Sequence, residues 1–83
     1  MTSADQILSL LHQIAPDVDP ATVEHTRPLA DQLDLDSIDY QNLLVAISTQ
    51  YAIPIPEADV PSLRSVDDLA LYVDTHARAD HAR

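Results

Sequence analysis

The sequence predicts an all-α domain, a small four-helix bundle of three longer helices and one short one with a long first loop. Three observations lead there. Aliphatic residues recur at helical spacing in three segments of the 83-residue chain. Aspartates and prolines, which favour caps and turns over helix interiors, fall between those segments. No stretch reads as a convincing strand.

The first helix opens at "SADQ", where Ser3 is expected to accept from the third helical amide while Gln6 reaches back. Ile7, Leu8, Leu11, Ile14 and Ala15 then share one stripe, and Pro16 ends the run. Residues 17–36 hold two prolines and five aspartates without a sustained period. They read as a long loop laid across the helices by Val18, Val23, Leu29, Leu33 and Leu35, with one short turn capped by Asp19 and begun by Pro20.

The second long helix is expected from Ser37 to about Tyr51, with Tyr40, Leu43, Leu44, Ile47 and Tyr51 toward the core. Gln41, Asn42, Val45, Ser48 and Thr49 fall largely on the other side. "AIPIPEAD" follows as an extended connection leading into a short turn near Glu57 to Val60, which Pro61 stops. Ser65 caps the last helix with Asp68 at the third position, and Val66, Leu69, Tyr72 and Val73 form its stripe. Residues 77–83 lose the apolar period and are expected to be a disordered tail, leaving 1–76 as the domain.

Composition narrows the function. The chain has no cysteine, so disulfides are excluded, and His12, His25, His76 and His81 lack the spacing of a metal site. Fourteen acidic residues against four arginines and no lysine give a formal charge of −10, which repels nucleic acid and anionic membranes and steers the chain toward basic proteins. The same charge also serves plain solubility. A hydrophobic content of 46 % is too high for a disordered acidic tail. No apolar run reaches membrane length and no signal-peptide pattern is present, so a cytoplasmic monomer is expected.

The residue that folding alone does not explain is Ser37, in "LDLDSIDY". Asp36 is the expected cap of the second long helix, with Asp39 completing the box and favouring the positive end of the dipole. Ser37 is then the first helical residue, exposed beside amides that favour a phosphate oxygen. A nucleophile of its own would need a base and an oxyanion hole, yet there is no GxSxG elbow and nothing orients His25 toward Ser37. Ser37 therefore reads as a substrate of modification rather than a catalyst.

From Leu29 to Val73 the chain resembles the acyl and peptidyl carrier proteins. Their "DSL" signature, at the start of the second helix of a four-helix fold, is matched by Asp36, Ser37 and Ile38. An IxIP connection 16 residues past the serine and the capped final helix follow in the family's order. The resemblance implies that a phosphopantetheinyl transferase moves a 4′-phosphopantetheine arm from coenzyme A onto Ser37. It also implies an acyl or aminoacyl ligase and a downstream transferase or synthase as further partners.

Asp36, Ile38, Asp39, Gln41, Asn42, Val45 and Ser48 are the expected partner contacts. Carriers of fatty acid synthesis typically present several glutamates where this helix presents Gln41, Asn42, Val45, Ser48 and Thr49. A specialised pathway is therefore expected, with an aminoacyl or peptidyl carrier as a second reading. Asp34, where the family often has glycine, is expected to tolerate a left-handed turn. An unmodified acidic interaction module and a serine hydrolase are the readings from other classes.

Overall fold

The computed structural model describes the backbone of residues 2–81 and the side chains of residues 2–76. Four α-helices follow one another: α1 (Ser3–Ile14), α2 (Leu29–Gln32), α3 (Ser37–Tyr51) and α4 (Val66–His81). Two 3-10 turns, Pro20–Thr22 and Glu57–Ser62, interrupt the connections. No strand is present among the described residues, and α1 packs against both α3 and α4.

Burial drives this arrangement. Ile7 and Leu11 of α1, Leu29 of α2, Leu43 and Ile47 of α3, and Val66, Leu69 and Val73 of α4 are fully buried in one aliphatic cluster. Each such side chain stabilises by roughly 1.5–3 kcal/mol. A helix cap contributes about 1 kcal/mol, so packing makes the helices stable and caps set where they begin. The radius of gyration, 12.1 Å, is that of one compact domain of this length.

Details at the helix ends differ from the sequence expectation. α1 is capped by Thr2, not Ser3: the Thr2 hydroxyl accepts from the Asp5 amide at 3.2 Å, and the Asp5 carboxylate accepts from the Thr2 amide at 3.3 Å. "TSAD" and "SADQ" are the same pattern offset by one residue. The shift frees Ser3 to donate to Asp74 of α4 and Gln6 to accept from the Tyr51 hydroxyl of α3. Both cross-helix bonds hold the bundle together.

The long loop is more structured than expected. Asp19 caps the Pro20–Thr22 turn as predicted, accepting from the Ala21 amide. Residues 29–32, however, form the short helix α2 within the stretch read as loop. Gln32 is the reason: its side chain accepts from the Glu24 amide and donates to the Glu24 and Arg27 carbonyls, closing the loop on itself. Two backbone bonds, Leu29 to Arg64 and Asp67 to His25, then fasten it to the start of α4.

The second 3-10 turn runs through Pro61 instead of stopping at it. Two successive i→i+3 bonds, Asp59 to Pro56 and Leu63 to Val60, make this possible. Pro61 stands at the first inner position of the second one, where a fixed φ suits the turn and no donor is needed. The Tyr72 hydroxyl of α4 holds the segment down, donating to the Asp59 carboxylate at 3.0 Å and lying 3.2 Å from the Pro54 carbonyl. Burial, followed by the bond to Asp59, raises the Tyr72 phenol above its ordinary range.

The left-handed turn expected at Asp34 does not form. Among the described residues the positive φ belongs to Ala52, at 55°, directly after α3. The chain has no glycine to take this position, and alanine there is disfavoured by roughly 1–2 kcal/mol. Compensation comes from the amides of Ala52 and Ile53, both bonded to the Ser48 carbonyl, and from the Ser48 hydroxyl, which donates to the Ile53 carbonyl at 2.5 Å. Of the tail expected to be disordered, residues 77–81 form the last part of α4 and 82–83 lie outside the described residues.

Candidate functional site

Ser37 is the first residue of α3 and is exposed. The Asp36 carboxylate accepts from the Asp39 amide at 2.8 Å, which leaves the serine outside the cap. Only this half of the expected box forms, with no return bond from the Asp39 carboxylate. The remaining first-turn amides have no intrahelical acceptor, so an anion linked to Ser37 finds donors and the positive helix end there.

Beside Ser37, α3 and the Glu57–Ser62 turn enclose a cleft of about 410 Å³ lined by Tyr40, Gln41, Leu44, Val60 and Pro61. A second cleft, about 220 Å³, continues past Gln41 and Leu44 toward Ile55. Together they offer an exposed hydroxyl with a partly apolar trough next to it. Such a site fits a flexible phosphodiester-linked arm.

The expected contact residues divide into two groups. Asp36, Ile38, Gln41, Asn42 and Val45 are exposed, and Ile38 and Val45, at 65 % and 59 % exposure, lie seven residues apart on one face of α3. Ile38 therefore does not tuck into the core. Asp39 is half-buried, and Ser48 is half-buried with its hydroxyl committed to Ile53. Ile47 and Ile53 are core, and Ile55 borders a cleft.

Sequence reasoning missed Tyr40 as anything but a core residue. Its hydroxyl is buried and has no hydrogen-bond partner among the described residues. Burial is the main cause that raises the phenol above its ordinary range; the Asp68 carboxylate adds to the shift and Arg64 opposes it. A bulky, hydroxyl-bearing residue one turn after Ser37 was the available signal. No group of three metal-ligating side chains converges among the described residues, and no described helix is long and apolar enough to cross a membrane.

An all-helical bundle presenting a serine at a capped helix start, beside a trough, is the architecture of a small carrier domain. The family model for the phosphopantetheine attachment site matches residues 5–73. The chain is 30 % identical over 77 residues to an acyl carrier protein of Micrococcus luteus, covering 89 % of this chain and 95 % of that one. An acyl carrier protein of Rhodococcus erythropolis is 29 % identical over 72 residues, covering 83 % and 79 %. A meromycolate extension acyl carrier protein of Mycolicibacterium aurum is 30 % identical over 74 residues, covering 86 % and 76 %.

The chain belongs to the family of phosphopantetheine-binding acyl carrier proteins. It is a carrier and not an enzyme, and its cofactor is 4′-phosphopantetheine. Carriers of this family work with a phosphopantetheinyl transferase and with synthase or transferase partners.

Proposed function

We propose that Ser37 is the attachment residue and that the loaded chain serves a specialised biosynthetic pathway in the cytoplasm. The observation that carries the first part is the displacement of Ser37 from the cap by Asp36, which leaves an exposed hydroxyl at the positive end of α3. Ser37 Oγ forms the new P–O bond as the diphosphate bond of coenzyme A breaks. Adenosine 3′,5′-bisphosphate leaves, and the hydroxyl proton passes to the transferase. The arm supplies a thiol that holds acyl groups as thioesters.

The rest of the chain orients and steers. Asp36 fixes the helix start, Ile38 and Val45 present an apolar strip to a partner, and Asp31, Asp34 and Asp36 are exposed acidic groups for a basic docking surface. Gln41, Asn42 and Thr49 leave the middle of the α3 face uncharged. That neutrality supports partners other than those of general fatty acid synthesis. It equally suits an aminoacyl carrier served by a dedicated ligase.

Incubation with coenzyme A and a broad-specificity phosphopantetheinyl transferase, followed by intact mass measurement, tests the attachment. A gain of one arm that disappears in Ser37→Ala is the expected result. No gain with an active transferase would favour an unmodified interaction module. Competition between candidate acyl and aminoacyl ligases for the loaded protein then reads the pathway. Preferential charging by a general fatty-acid enzyme would overturn the specialised role.

A further inference from the structure

The end of the bundle that carries Ser37 is crowded with negative charge. Asp31, Asp34 and Asp36 are exposed and Asp39 is half-buried, all close to the serine along the chain. A phosphodiester on Ser37 adds another anion to that set, so attachment raises the repulsion there. Cations to offset it are scarce. Among the four arginines, and with no lysine in the chain, Arg27 is taken by Glu24, to which it donates at 2.8 Å. Arg64 is exposed and joins no ion pair among the described residues, and the side chains of Arg78 and Arg83 lie outside those described.

Three features bring Arg64 to the Ser37 end. Val60 and Pro61 line the same cleft as Ser37, and the Leu63 amide bonds back to the Val60 carbonyl, so Arg64 follows directly on that wall. Its backbone is fixed on both sides: the amide donates to the Asp68 carboxylate at 3.1 Å, and the carbonyl accepts from the Leu29 amide at 2.8 Å. Its charge acts on Tyr40, three residues after Ser37 on α3. Asp68 turns its carboxylate to the Arg64 and Ser65 amides instead of to the guanidinium. A long cationic side chain on a fixed root is thereby left without a partner in the bare fold.

We propose that Arg64 is a phosphate-pairing residue whose guanidinium donates to the phosphodiester oxygens of the group attached to Ser37, anchoring the root of the arm. The inference rests on attachment at Ser37. A guanidinium presents paired N–H donors in the geometry that phosphate oxygens accept, whereas the first-turn amides of α3 supply neutral donors alone. Because the pair is exposed, its contribution is a few-fold and is screened by salt.

The experiment uses the full chain in apo and holo forms, each confirmed by intact mass, for the parent, Arg64→Gln, Arg64→Lys and Arg27→Gln. Three readouts are compared at low ionic strength: the ³¹P resonance of the phosphodiester, the ¹⁵Nε resonances of the arginines, and the folding constant from urea denaturation. In the parent, loading is expected to move the Arg64 Nε resonance and to leave that of Arg27 in place. Arg64→Gln is expected to shift the ³¹P resonance and to lower the folding constant of the holo form about threefold more than that of the apo form. That difference is expected to vanish in about 1 M salt.

Arg64→Lys keeps the charge and is expected to recover the stability difference, with a ³¹P resonance between the other two. Arg27→Gln is expected to change neither comparison. A ³¹P resonance indifferent to Arg64→Gln, equal losses in apo and holo forms, or an Arg64 Nε resonance that ignores loading overturns the proposal. The Nε readout needs no variant, so it stands even where Arg64→Gln folds poorly. Absence of the arm's mass from the parent overturns the attachment reading instead, and is seen before any arginine variant is compared.

Discussion

Two helix starts in this chain use the same residue types and end in opposite roles. At α4, "SVDD", Ser65 is the cap: its hydroxyl accepts from the Asp68 amide at 3.1 Å, Asp68 accepts from the Ser65 and Arg64 amides, and the serine is only 4 % exposed. At α3, "DSID", Asp36 takes the cap and Ser37 moves one position into the helix, where it is exposed. One residue of offset separates a serine consumed by folding from a serine left available. A helix start therefore displays a hydroxyl when the preceding aspartate has already taken the cap.

The largest effect expected from breaking this comparison is at Ser37. Ser37→Ala abolishes loading by the transferase while leaving stability within about 0.5 kcal/mol, as measured by intact mass and urea denaturation. An exchange of the two roles is sharper. Asp36→Ser combined with Ser37→Asp keeps a competent cap, since serine and aspartate rank together at that position. The double variant is expected to melt close to the parent and to accept no arm; a marked loss of stability would contradict the capping assignment.

Ser65→Ala should show the reverse behaviour. Losing the buried cap costs about 0.5–2 kcal/mol, read as a lower urea midpoint at unchanged slope, while loading of the folded protein continues. An unchanged midpoint would show that Asp68 holds the helix start alone.

The smallest effect belongs to the third start, at α1. The Thr2 amide and then the Thr2 hydroxyl hold Asp5 below its ordinary carboxylate range. A lowered folded value means that this contribution is fully present above the unfolded carboxylate range and is lost as pH falls through the folded value. Asp5→Asn should therefore flatten the acid limb of the melting temperature against pH without changing loading at neutral pH.

Legibility in the sequence follows from the range of the forces involved. α3, its Asp36 cap, the Ser65–Asp68 box and the Asp19 turn were readable because helical periodicity and capping act over three or four residues. The α1 cap was misplaced by one residue because Thr2 and Ser3 are both competent caps, and bonds from Ser3 to Asp74 and from Tyr51 to Gln6 decide between them across the bundle. The short helix α2 was missed because Gln32 closes the loop through partners five and eight residues away.

The site divides in the same way. Sequence by itself determined that Ser37 begins a helix behind a better cap, since that outcome depends only on adjacent residues and the amides they satisfy. Tertiary structure decided that Ile38 and Val45 are exposed together, that Ser48 serves the Ala52 turn, and that a cleft opens beside Ser37. It also decided that Tyr40 keeps a buried, unpartnered hydroxyl. Periodicity can place a tyrosine on the inner face of a helix, but whether its oxygen meets a partner depends on what the 3-10 turn and α4 bring across from it.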